Sequence, residues 1–142
     1  MSTTPTTHPQ SVTLAEARTI IAAATIKAEA LGQPMCIAVV CSGGHLLAFE
    51  RMPNAWMGSI DISTKKAWTS RSFDIETKTL GENSQSGHQF FGIHASNDGK
   101  VMIFGGGIPI KRDAKIVGAI GVSGGSGEQD HSVAQAGASV IH

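Results

Sequence analysis

From Leu14 to Leu31 apolar side chains recur at steps of three and four: Leu14, Ala17, Ile21, Ala24, Ala28 and Leu31. That spacing puts them on one stripe of an amphipathic helix. Thr13 and Glu16 stand at the offset of a capping box, Gly32 suits the helix stop, and Pro34 prevents continuation. The pattern then changes. Met35 to Cys41 is almost wholly apolar and partly β-branched, which predicts a strand buried on both faces.

Gly43-Gly44 is a hairpin signal, and the return strand is expected from His45 to Met52. Alternation would place His45, Leu47, Phe49 and Arg51 on one face and Leu46, Ala48, Glu50 and Met52 on the other. Pro53 ends that strand. A helix is expected from Trp56 to Ser72, continued after a bend from Phe73 to Leu80, and then a loop, GENSQSG. His88 to Ser96 fits a short helix or an extended segment equally, and Asn97-Asp98-Gly99 is a turn. Three short strands follow: Val101 to Phe104, Ile108 to Lys111 and Lys115 to Ser123. The first two are separated by Gly105-Gly106-Gly107, the last two by Arg112-Asp113. A last helix starts near Ser126 and is expected to reach the C-terminus.

The order is therefore helix, two strands, helix, three short strands, helix. Tight turns between neighbouring strands imply a mainly antiparallel, five-stranded sheet with helices on its faces, an α/β chain of the α+β kind. The 142 residues fit one domain, from 13 to 142, behind a polar, Pro-containing tail at 1–12 that is expected to fray.

Composition narrows the function classes. Eleven basic and eleven acidic side chains give zero formal net charge, so the basic footprint of nucleic-acid binding is missing. No apolar run approaches the ~18–20 residues of a membrane helix, and the N-terminus does not read as a secretory signal. Cytoplasm is the expected compartment. With 15% charged residues the solvated surface is sparse, which buried subunit contacts in a homo-oligomer would explain. Cys36 and Cys41 lie about 16–17 Å apart along one strand, too far to bond, and are expected to act as small buried hydrophobes.

Candidate chemistry is scattered. The glycine-rich turn before the last helix lacks the Lys-Ser/Thr pair of a phosphate loop. It carries Glu128 and Asp130 instead, which complement the helix dipole. For any ligand contacting this turn, the acids suit a cation, a metal or a proton transfer better than a phosphate. Ser126 and Gln129 form a second capping box. Gly105-Gly106-Gly107 is costly in chain entropy and implies close backbone passage, past a ligand or past a neighbouring strand or subunit. None of the six histidines has a zinc-site spacing; His45, after the hairpin, and His131, beside the acids, are the candidate ligands or proton carriers. Asp61 and Lys65 can pair at four residues' spacing, and the second helix reads as a solvated, ion-paired face. Trp56, Trp68, Phe90 and Phe91 can line a flat-ligand pocket or pack in the core.

Four stretches, VVCSGGHLLAFERM, GSIDISTKKAWTSRSF, FGGGIPI and GAIGVSGGSGEQDHSVAQAG, resemble the GlcG/HbpS-like family, which includes the C-terminal domain of PduO-type proteins. With the first helix they span nearly the whole chain. The resemblance implies a profilin-like fold, homo-oligomers and, in some members, heme. It also marks Lys66-Ala67 as a matching step and Lys66 as a pocket residue. Cys41 stands where the family commonly has an acid.

Two functions are compatible with these residues. One is a small-molecule or heme-binding protein whose oligomer buries a pocket of Arg51, Trp56, Lys66, Phe91, the 105–107 glycines and a histidine, with His45 as the candidate axial ligand. The other is a cofactor-independent lyase or isomerase on a small organic acid. There Arg51 or Lys66 would hold a carboxylate and His45, Glu128, Asp130 or His131 would move a proton.

Overall fold

A computed structural model describes residues 11–142; the expected frayed tail falls mostly on residues 1–10, outside the described part. Val12 belongs to the core, donating its amide to Val117 O at 3.0 Å, so the expected tail boundary at residue 12 includes a packed residue.

The elements are α1 (Leu14–Leu31), β1 (Cys36–Cys41), β2 (Leu46–Arg51), α2 (Gly58–Phe73), α3 (Thr77–Glu82), β3 (Gly107–Arg112), β4 (Lys115–Ser123) and α4 (Gly127–Ala138). The strands form one sheet in the order β2-β1-β4-β3, and every neighbouring pair is antiparallel. Helices α1 and α4 pack together on one face of the sheet, and α2 lies across β1, β4 and β3 on the other. No helix among the described residues is long and apolar enough to cross a membrane.

Both capping boxes form. Thr13 Oγ1 accepts from Glu16 N at 3.1 Å while Thr13 N donates to Glu16 Oε1 at 3.0 Å. Ser126 and Gln129 repeat the arrangement at α4. Glu16 has a second role. Arg112 at the end of β3 grips its carboxylate with two nitrogens, at 2.7 and 2.9 Å, and holds its pKa down at about 2. The same side chain thus starts α1 and ties it to the sheet.

The two sides of the sheet pack differently. Ile20, Ile21, Ala24 and Ala28 of α1 meet Ile37, Val39, Ile120 and Val122 in a large aliphatic core that Val133 and Ala134 of α4 complete. On the other side only Ala38, Val40, Ala67 and Ala119 form a small cluster, with Phe49 against it. Small residues let α2 sit close to the strands. The face it buries is mainly polar: Ser59, Ser63, Lys66, Thr69 and Ser70 beside Ala67.

Several sequence expectations need correction. The sheet has four strands, not five, because Val101 to Phe104 is not a strand. Its backbone groups turn to helices instead of a neighbouring strand. Met102 N donates to Thr69 Oγ1 of α2 at 3.0 Å, and the Ile103 carbonyl lies against Gly81 of α3. This stretch is a strap over α2. The expected common face of His45, Leu47, Phe49 and Arg51 is broken by a register shift between Val39 and Val40. Leu47 joins Ala48 on the aliphatic-core side, Phe49 packs on the α2 side, and His45 falls in the turn. Such a bulge re-aims every side chain beyond it. The bend after α2 is a left-handed Asp74, so α3 begins at Thr77 and includes Gly81 and Glu82 from the expected loop. The Arg112-Asp113 turn centres on Asp113-Ala114, both at positive φ, and α4 stops at Ala138, short of the C-terminus. Leu14 and Leu31 end the α1 stripe exposed, while Ile20 is buried. Cys36 is buried and Cys41 only half-buried; both are free thiols.

Candidate functional site

The second helix carries the main surprise. Lys66 is fully buried, not part of a solvated face; the Asp61–Lys65 pair beside it forms as expected, at 3.0 Å. The Lys66 ammonium donates to Asp130 Oδ2 at 2.9 Å and to Val122 O at 2.8 Å. Its remaining side faces the ring of Phe104, 4.5 Å from the centroid, a cation–π contact. Burial pushes the amine below its usual range, and the Asp130 carboxylate opposes that shift.

Asp130 does more than complement the dipole of α4. Its Oδ1 accepts from Gly125 N at 2.8 Å, so the carboxylate bridges the glycine turn and α2. Glu128 in the same helical turn is exposed. The sequence grouped the two acids; folding separates a buried partner from a surface residue.

The three glycines pass close to protein rather than through open space. A Cβ on Gly106 would lie 2.8 Å from Lys66 Nζ and 3.0 Å from Asp130 Cβ. One on Gly105 would lie 2.6 Å from the Gly127 carbonyl and 3.4 Å from His131 Cβ, and one on Gly107 2.7 Å from Ser70 Oγ. Only glycine lets this chain run over the Lys66–Asp130 pair. The His131 ring is half-buried, with Nδ1 buried and without a hydrogen-bond partner. A shallow recess of about 180 Å³ beside Gly105 is lined by Lys78, Gly127 and Glu128.

The remaining expected residues sit elsewhere. Arg51 closes the turn after β2, donating Nε and Nη2 to Ala55 O at 3.1 and 2.8 Å. Trp56 follows it, 64% exposed, and its carbonyl lies 3.9 Å from Cys36 Sγ. Burial raises the Cys36 thiol pKa. Phe91 is exposed in the loop after α3, edge-on to His94 at 6.5 Å between ring centres.

His45 lies at the hairpin tip. A Cβ on Gly43 would meet the His45 ring at 3.2 Å and Cys41 Sγ at 3.7 Å, and one on Gly44 would meet the Trp68 ring at 3.6 Å. An imidazole and an indole therefore flank the same two-glycine turn. Lys100 lies over Trp68, 4.6 Å from the ring centroid, beside a cleft of about 370 Å³ lined by Lys65, Trp68, Asn97, Asp98 and Lys100. Among the described residues no cluster of three or more His, Cys, Asp or Glu side chains could hold a metal ion.

Sequence reasoning missed Phe104 and Lys100. Both act through ring–cation contacts between segments distant in sequence, for which the chain carries no periodic signal.

The model of the family described as haem degrading protein HbpS-like matches residues 12–139. A Citrobacter freundii protein, described as an uncharacterized 15.0 kDa protein in the dhaT-dhaS intergenic region, is 37% identical over 125 residues, 88% of each chain. The corrinoid adenosyltransferase PduO of the same organism is 34% identical over 132 residues; the match takes in 93% of this chain and 39% of PduO. The crystal structure of a PduOC:heme complex superposes with a TM-score of 0.88 at 32% identity, over 93% of this chain and 96% of that one. With nearly all of its described length matched in both sequence and fold, the chain belongs to the HbpS-like family.

Proposed function

We propose that this protein binds heme or a similarly flat small molecule at the hairpin tip, with His45 as the axial imidazole. The observation that carries the reading is the pairing of His45 and Trp68 across Gly43-Gly44, beside a cleft with two lysines. These groups match the needs of heme: a nitrogen ligand for iron, a flat apolar face, and cations for the propionates. Lys65 and Lys100 would hold the propionates and Trp68 would cover one ring face. The family membership and the heme-complexed PduOC relative support the same ligand class. Bound heme would supply redox chemistry at iron; the protein's own part is to bind and orient it.

Titrating hemin into the protein is expected to shift and sharpen its Soret band. His45→Ala is expected to abolish the shift, while His94→Ala and His131→Ala retain it. An unshifted band with the unaltered protein would overturn the reading, and a shift that survives His45→Ala would remove His45 as ligand.

The cleft is open in a single chain, and large apolar side chains stand exposed around the α2 entrance and the loop after α3. Met57 is 76% exposed and Phe91 65%. Contact with further copies would cover them and complete the pocket wall. Light scattering at micromolar concentration is expected to give a multiple of the chain mass, and a monomer would refute the oligomer.

A further inference from the structure

We propose that Lys66 is a gated amine that forms an imine with small aldehydes or ketones, with Asp130 as its proton carrier and Phe104 as its cover. The claim concerns the strap and α2, not the hairpin tip, and stands apart from the heme reading.

The geometry supplies each part. Lys66 Nζ has three hydrogens to place. Oxygens take two, Asp130 Oδ2 at 2.9 Å and Val122 O at 2.8 Å, and the Phe104 ring lies over the ammonium at 4.5 Å from its centroid. An anionic ligand on that side would add a second negative charge to a cation that Asp130 already neutralises, at high desolvation cost. A neutral carbonyl group adds none. Phe104 is 45% exposed while Lys66 has no exposed surface, so the ring stands between the amine and solvent. Phe104 belongs to no helix or strand and its ring is half-exposed, so rotation of its side chain uncovers the amine while the packed Gly105-Gly106 backbone stays in place. The recess of about 180 Å³ is lined by Gly105, the residue after Phe104, with Lys78, Gly127 and Glu128 and not by Lys66, so a compound of a few heavy atoms held there meets the amine only once the Phe104 ring has moved. Desolvated lysines are the ones that act as nucleophiles toward carbonyls.

The step balances within the pair. Asp130 takes a proton from the ammonium, and the freed amine attacks the carbonyl carbon while the carbonyl electron pair moves to oxygen. Asp130 returns the proton to that oxygen and takes a second from nitrogen, giving the neutral carbinolamine. It then protonates the hydroxyl, which leaves as water as the nitrogen pair forms the C=N bond. The product is a protonated imine opposite the Asp130 carboxylate, so the buried charge balance is the same at the end as at the start.

Propanal with cyanoborohydride at neutral pH tests this, read by peptide mapping with exposed Lys78 as the internal reference. Propylation at Lys66 is expected in the unaltered protein. Phe104→Ala, at a half-exposed position, is expected to raise the Lys66 rate relative to Lys78 by about tenfold, the scale of losing one cation–π cover. Buried Cys36 must stay unreactive to iodoacetamide in the same samples, which separates gate opening from unfolding. Labelling of Lys78 without Lys66 in both proteins would overturn the proposal and leave Lys66 a purely structural cation. An unchanged Lys66-to-Lys78 ratio in Phe104→Ala would overturn the gate.

Discussion

Lys66→Met is expected to destabilise the fold by about 3–5 kcal/mol, the usual cost of removing one partner from a buried ion pair. The size comes from what remains. Methionine fills much the same volume, so little packing is lost, but Asp130 keeps its charge in a buried site with only the Gly125 amide to meet it. Val122 O also loses its lysine donor. Urea unfolding measures the effect as a shift of midpoint at unchanged slope. Adding Asp130→Leu to the same chain is expected to recover much of the loss, because two apolar groups can replace a buried pair at little cost. A single variant within about 1 kcal/mol of the unaltered protein would show that water or rearrangement already solvates the pair.

Gly121→Ala is expected to cost more than about 3 kcal/mol, beyond the usual range for one added methyl group in a packed core. A Cβ there would run into the Ser63 carbonyl and come within 2.5 Å of Ala67 N. Both are main-chain atoms of α2, so no side-chain rotation can relieve the clash. The helix must lift from the sheet, which opens the Ala38, Val40, Ala67 and Ala119 cluster and pulls on Lys66 one residue away. Thermal unfolding checks it; a melting temperature unchanged within a degree or two would mean that α2 can shift without loss. Gly127→Ala makes a useful contrast, since its Cβ would find no atom nearer than 3.7 Å.

The elements that the sequence announced are those whose signals are local. The α1 helix has its Thr13–Glu16 box and Gly32 stop, β1 its apolar run, and α4 its Ser126–Gln129 box; α1 and β1 formed near their expected limits, and α4 began where its box placed it. The family was legible for a related reason: its motifs are glycine turns and caps, which keep their spacing along the chain. Where the reading went wrong, a distant partner had taken over. Val101 to Phe104 has strand-like residues, yet Thr69 claims its amide and Gly81 admits its carbonyl, so it straps a helix. The β2 faces were misread because one bulge opposite Val39 and Val40 reverses a period of two.

The candidate sites divide the same way. The sequence named Asp130, His45 and the three glycines, because acid and histidine stand out by type and glycine runs stand out by cost, and the family resemblance marked Lys66. It could not join Lys66 to Asp130, 64 residues apart, nor see that one acid of the α4 turn is buried and the other exposed. The helix pattern set Lys66 on a solvated face because the neighbouring Asp61–Lys65 pair does belong to one, and only the resemblance marked it as a pocket residue. Hydrophobic periodicity reports which face is apolar, and α2 buries a face that is polar and small. Its burial follows from close approach to Gly121 and Ala119 on the sheet, a property of two surfaces together that no single stretch of chain encodes.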